Sequence, residues 1–402
     1  MNNLSPWDRS PSTNNPRQGH AVLGEFQLAP DRLHLNHGSY GAVPRSVQAE
    51  QDRLRAHIER DPTSFFQDEL PLALRAMAAQ VAARFGGAAQ DWVFCENATS
   101  AINGVLASFP LQPGDEIVTT SHAYGAVLKA MRLWAERKGA RLVVAELPAV
   151  CESEERIVEL IAGALSPRCR LLVIDHITSA TATVLPVRRI VERAHQAGVA
   201  VLVDGAHAPG QVELDVVAIG ADWYTGNAHK WLFAPKGCGL LWTTPSRQAE
   251  TGPAVLSHGT GSGYLPAFDW IGTRDVTPWL SFAAAAQVHD SFDGLMTRNR
   301  LLAEQGAAIL LEKLGARASA PAQMRAAMAA VVLKDSPPEP KLAQEFRRAL
   351  AAKHKIIAPV YEFAGKLWLR ISAQIYNESD DYERCAAACR ELRQGVFAEF
   401  FR

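Results

Sequence analysis

Cysteine is scarce and scattered: six residues in 402 (Cys95, Cys151, Cys169, Cys238, Cys385 and Cys389), with no Cys-x-x-Cys pair. That excludes a disulfide-stapled fold, points to a reducing cytoplasm, and leaves no metal-ligand cluster to read. Excess charge of either sign is also missing, since 41 Lys and Arg stand against 42 Asp and Glu. No global field then draws the chain to nucleic acid or to an anionic membrane, and a small, uncharged-to-zwitterionic substrate fits best. Long apolar runs are absent, none approaching the ~20 residues that span a bilayer. The first residues, Met1 to Asp8, lack a basic stretch followed by an apolar one, so neither export nor membrane insertion is expected.

What is present is a large apolar fraction, 48% of the chain, enough for one large domain and a smaller one. Residues 1–25 read as a Pro/Asn/Ser-rich tail, with structure starting near Phe26. Residues 26–290 read as a large α/β domain with an N-terminal contribution to the small domain and the site, and 291–402 as a smaller α+β domain. Between Asp91 and Thr244 short apolar runs alternate with amphipathic stretches, the pattern of βαβ units on a mostly parallel sheet. The clearest unit runs from Arg170–Asp175, through a helix opened by Pro186 and closed by Gly198, to Val199–Asp204. Both strands end in aspartate, and ligands of open α/β sheets bind beyond strand carboxyl ends, so Asp175 and Asp204 should face one crevice. A turn-capping aspartate is the plainer reading of Asp175.

Lys230 lies in Asn227-Ala228-His229-Lys230-Trp231-Leu232-Phe233, after the strand that ends in Asp204. A lysine amine can hold an aldehyde cofactor as a Schiff base, and a carboxylate can pair with a protonated pyridine nitrogen, which together suggest pyridoxal 5′-phosphate (PLP). A solvated lysine is the ordinary alternative, but the apolar residues on both sides argue against exposure. Asn97, Ala98 and Thr99 follow a strand and open a helix, where free N–H groups and hydroxyls could cradle a phosphate, or merely cap the helix. His207 could donate to the cofactor's phenolic oxygen or be a satisfied core histidine. His122 and Tyr124, just past another strand end, offer an aromatic face to stack on the ring and an edge to move protons. Gly237 and Gly239 would let the backbone turn tightly after the lysine.

The motifs Leu35-Asn36-His37-Gly38-Ser39-Tyr40-Gly41, Asp175-His176-Ile177-Thr178-Ser179, Asp204-Gly205-Ala206-His207, His229-Lys230-Trp231, Gly272-Thr273-Arg274-Asp275 and Leu369-Arg370-Ile371-Ser372 together resemble the class V aminotransferase family of fold-type I PLP enzymes, in its isopenicillin N epimerase-like branch. The resemblance implies a mostly parallel seven-stranded sheet flanked by helices. It makes Lys230 the Schiff-base lysine, Asp204 the partner of the pyridine nitrogen and Thr99, Asn227 and His229 the phosphate ligands, with Asp175, Thr178 and His207 also on the cofactor side. Gly272 and Thr273 would reach the phosphate of a neighbouring subunit, making the active unit a homodimer. Arg370 would clamp the substrate α-carboxylate, with Asn36, His37 and Tyr40 beside it.

These parts imply proton removal at the α-carbon of an amino acid by Lys230 while the ring accepts the electrons. Reprotonation on the other face would be epimerisation, expulsion of a β-substituent C–S lyase chemistry, and protonation at the cofactor transamination. Persulfide-forming desulfuration is not expected, because no cysteine lies between His354 and Arg370. A regulator that keeps the fold would need an attached DNA-binding module, and no basic helical module is read at either end. Gly259-Thr260-Gly261-Ser262-Gly263 looks superficially like a dinucleotide loop but lacks the preceding strand, and reads as a flexible active-site or interface loop.

Overall fold

The computed structural model describes residues 18–401. The parallel core forms because its strands are apolar on both faces. Along Cys169–Asp175, Leu171 and Val173 pack on one side and Leu172 and Ile174 on the other, each against a separate buried cluster. We number the strands of this sheet β1 (Trp92–Cys95), β2 (Glu116–Thr120), β3 (Arg141–Ala145), β4 (Cys169–Asp175), β5 (Ala200–Gly205), β6 (Trp223–Asn227) and β7 (Gly239–Thr243). Their spatial order is β1-β7-β6-β5-β4-β2-β3, and only β7 runs against its neighbours. The carboxyl ends of β1, β2, β4, β5 and β6 therefore share one edge. Helices α1 (Ala98–Ser108) and α2 (Gly125–Arg137) cover one face, burying Ile102, Val105, Val127 and Met131.

Helix Val187–Gln196 lies on the opposite face and ends where Gly198 turns at φ 72°. Gly239 makes no turn. It opens β7, where an added Cβ would meet the Asn97 backbone at 2.6 Å, so its value is close approach.

A second sheet contains β8 (Arg317–Ala318), β9 (Met328–Lys334), β10 (Val360–Phe363) and β11 (Lys366–Ser372), in the order β10-β11-β9-β8. On β11, Leu367, Leu369 and Ile371 face helices Leu295–Leu314 and Ser379–Gln394. Trp368 faces the other way, in a cluster with Trp231 and Ile177 of the large domain. Arg370 has the parity of Trp368, so strand alternation turns it to the same side. Leu33–His34 pairs in parallel with Ile356–Ile357 as a separate two-stranded sheet, tying the N-terminal segment to the small domain.

Order begins earlier than the composition suggested. Gly19–Glu25 form a 3₁₀ helix, Val22 is fully buried, and the Gly19 amide donates to Ile375 O at 2.7 Å. The rest of the expected tail, residues 1–17, lies outside the described residues. No helix among the described residues is long and apolar enough to cross a membrane.

Candidate active site

A cavity of about 530 Å³ opens between the strand ends of the large sheet and the outer face of β10 and β11. Lys230, His207 and Arg370 open onto it, with His122, Tyr124, Tyr40 and Tyr361 in its walls. Residues from 38–40, 121–128, 179–230 and 359–370 thus meet in one wall.

Lys230 sits on the single helical turn Ala228–Trp231 that follows β6. Its Nζ lies 3.3 Å from His207 Nε2, and burial holds its amine at about 8, against the counter-pull of Asp204. Asp175 and Asp204 are register partners on β4 and β5 and both are buried. Burial, then the charge of Asp204, raises Asp175 well above the usual carboxylate range. Burial also raises Asp204, while the Ala206 amide, donating at 3.0 Å, and the Lys230 ammonium favour its ionised form.

Arg370 is 4% exposed. Its guanidinium donates to Ser39 Oγ at 2.9 Å and to the Ser179 carbonyl oxygen, and Asn36 Oδ1 lies 3.5 Å away. Ser39 in turn donates to Asn36 at 2.6 Å. Arg370 Nε keeps no partner, and neither does the buried His207 Nδ1.

Of the expected residues only Tyr40, His122, Tyr124, His207, Lys230 and Arg370 line the cavity; Asn36, Asn97, Ala98, Thr99, Asp175, Asp204, Asn227 and His229 lie outside its wall. His37 stands behind the lysine, where Nε2 meets Lys230 O at 2.9 Å and Nδ1 meets Tyr376 Oη at 2.9 Å; burial pushes its imidazole down to about 3. Thr178 is fully buried and bonded to Thr181 Oγ1 at 2.7 Å. Thr181 faces His122 Nδ1 at 2.9 Å, while His122 Nε2 faces Pro148 O at 3.1 Å. Since a carbonyl only accepts, Nε2 carries the proton and His122 is neutral, its imidazole lowered by burial to about 4. Gly272 and Thr273 lie on a partly exposed stretch outside the cavity wall, and so do residues 259–263. Ser39 and Ser179 lie in the quoted motifs without a role assigned to them, and Tyr361 and Phe363 carry only the period-2 alternation with the core residue Val360.

One buried atom fits a phosphorylated aldehyde. The first-turn amides of α1 do not, since Ala98 donates to Asn227 Oδ1 at 2.8 Å and Ser100 to Asn97 Oδ1 at 3.0 Å, which is helix capping. His229 Nδ1 is held separately, 3.1 Å from the Cys238 carbonyl oxygen. The unpartnered His207 Nδ1 is a buried polar atom on the ring whose Nε2 faces the amine, of the kind that a ring oxygen would satisfy.

A family model described as "Aminotransferase class-V" matches residues 42–384. The chain belongs to the class V aminotransferase family. Its cofactor is pyridoxal 5′-phosphate, and it is a PLP-dependent enzyme. Isopenicillin N epimerase of Streptomyces clavuligerus is 31% identical over 389 residues, covering 92% of this chain and 97% of that one. The L-cysteine desulfhydrase of Arabidopsis thaliana is 29% identical, covering 89% and 87%. The fold is shared with the cysteine desulfurase CsdA of Escherichia coli, with a TM-score of 0.76 at 21% identity over 92% of this chain and 97% of that one.

Proposed function

We propose that this enzyme is a C–S lyase acting on a cysteine derivative, with Lys230 as the base at the α-carbon and Arg370 as the carboxylate clamp. One observation carries the reading: the buried amine of Lys230 and the buried, incompletely partnered guanidinium of Arg370 open onto one cavity, and no carboxylate or thiol stands in its wall. When bound, PLP supplies an electron sink for the α-carbon. Thr99, Asn227 and His229 would hold its phosphate, Asp204 its ring nitrogen and His207 its phenolic oxygen.

Arg370 fixes the substrate α-carboxylate through its planar fork, steadied by Ser39 and the Ser179 carbonyl. Lys230, with its amine held near 8, is present in part as the free base at neutral pH and takes the α-proton. The Cα–H and Cβ–S bonds break, the sulfur leaves as a thiol with one proton, and water converts the remaining 2-aminoacrylate to pyruvate and ammonium. The six cysteines are all buried and none lines the cavity, so the sulfur leaves without an enzyme persulfide.

The relative named an epimerase supports a second outcome, return of the proton to the opposite face; transamination is a third. Incubating holoenzyme with S-substituted cysteines separates them. Thiol with stoichiometric pyruvate supports the lyase, solvent-deuterium exchange with inversion and no pyruvate supports the epimerase, and keto acid without thiol supports the transaminase. Loss of the bound-cofactor absorbance band in Lys230→Ala checks the lysine assignment. The working unit is a homodimer in the cytoplasm, with Gly272 and Thr273 reaching the other subunit's phosphate; a monomer by sedimentation would overturn that part.

A further inference from the structure

The hairpin β10–β11 supplies more than the clamp. Val360 points into the small-domain core, whereas Tyr361 and Phe363 share the cavity side with Arg370. The Tyr361 hydroxyl donates to the Ala180 carbonyl, which fixes its ring across the cavity wall. Phe363 meets the His122 ring edge-on, with centroids 5.0 Å apart. Leu128 from α2 and Pro359 add aliphatic surface. Tyr40 and Tyr124, 71% and 47% exposed, flank the mouth.

The charged groups in this wall are Lys230 and Arg370; His207 and His122 are the remaining titratable groups apart from the tyrosines, and burial holds both neutral. Both polar edges of His122 are already taken, by Thr181 and Pro148. Once Arg370 holds the α-carboxylate, a substrate side chain passing along this hairpin meets rings and aliphatic carbon. It finds neither a carboxylate to neutralise an ammonium nor a further cation for a second carboxylate. A charge placed there is desolvated without compensation, whereas an apolar group gains contact.

We propose that Tyr361 and Phe363, with Leu128 and Pro359, form a side-chain subsite that selects substrates whose β-substituent is uncharged and apolar, of the S-alkyl or S-aryl cysteine class. This rests on the lyase reading of the same site.

The test uses holoenzyme with four compounds: S-methylcysteine, S-benzylcysteine, S-carboxymethylcysteine and S-aminoethylcysteine. Binding is read from the change in cofactor absorbance and turnover from released thiol. S-benzylcysteine is expected to exceed both charged compounds by at least about tenfold in each measure. Phe363→Ala should reduce the benzyl-to-methyl ratio by about tenfold. Phe363→Arg should shift preference toward S-carboxymethylcysteine, a gain that damaged folding does not produce. Equal binding of the four, or tighter binding of a charged one by the wild type, overturns the subsite. Absence of thiol from every compound overturns the lyase reading, while the absorbance ranking still decides the subsite.

Discussion

His37 holds the main-chain carbonyl of Lys230 through an imidazole nitrogen 2.9 Å away, and Gln374 Nε2 lies 3.1 Å from the same nitrogen. A residue from the N-terminal segment thus sets the height of the lysine without touching the cavity. In His37→Ala, Lys230 O and the Tyr376 hydroxyl lose a buried partner, which costs about 1–3 kcal/mol of stability. The urea midpoint should fall accordingly, and kcat should fall more than KM rises. An unchanged midpoint with normal kcat would show that the contact is dispensable.

Arg370→Lys keeps the charge but loses the planar fork. A lysine cannot reproduce the contacts with Ser39 Oγ and the Ser179 carbonyl while also gripping a carboxylate. The KM for amino acid substrates is expected to rise at least about tenfold, with PLP affinity little changed. Steady-state kinetics beside a cofactor titration measures both, and an unaltered KM would remove the clamp assignment.

Gly41 lies at φ 68°, where an added Cβ would meet the carbonyl oxygen of His229 at 2.2 Å. Gly41→Ala therefore combines backbone strain with a clash against the lysine-bearing turn, and should cost more than about 2 kcal/mol. Thermal unfolding checks the stability, and the position of the cofactor absorbance band reports whether the turn has moved. A melting temperature equal to wild type would contradict the clash.

Acid should unfold this protein cooperatively. Burial pushes His122, His176 and His229 down to about 4 and His37 to about 3. Their folded values lie below the unfolded value near 6.5, so the unfolded chain binds more protons as pH falls. The stability they contribute is full above about pH 6.5 and is lost toward pH 4, each group adding up to about 1.4 kcal/mol per pH unit. Urea midpoints measured from pH 7.5 to 4.5 should drop steeply below 6.5, and a flat profile would refute buried neutral histidines.

The large sheet was legible from sequence because its strands are continuous apolar runs ending in chemically useful residues. Asp175, Asp204 and Asn227 each follow such a run, and Lys230 comes three residues after the last. The hairpin face was not read, since Tyr361 and Phe363 acquire meaning only once the second sheet docks against Trp231 and Ile177. His37 and Thr178 sit in motifs that imply a place beside substrate and cofactor, yet both lie outside the cavity wall. Sequence carries no sign that His37 would turn toward a carbonyl 193 positions away, or that Thr178 would brace Thr181. Gly19–Glu25 was missed for a similar reason, its docking partners Ile375 and Asp381 lying near the other end of the chain.

The pairing of Leu33–His34 with Ile356–Ile357 has a consequence for biosynthesis. The strands of the large sheet are all encoded between residues 92 and 243, whereas Arg370, the proposed carboxylate clamp, and the strand partner of Leu33–His34 come more than a hundred residues later. A chain emerging from the ribosome can therefore close the large sheet before the opposite wall of the cavity exists, so the proposed substrate grip is among the last parts of the site to be made.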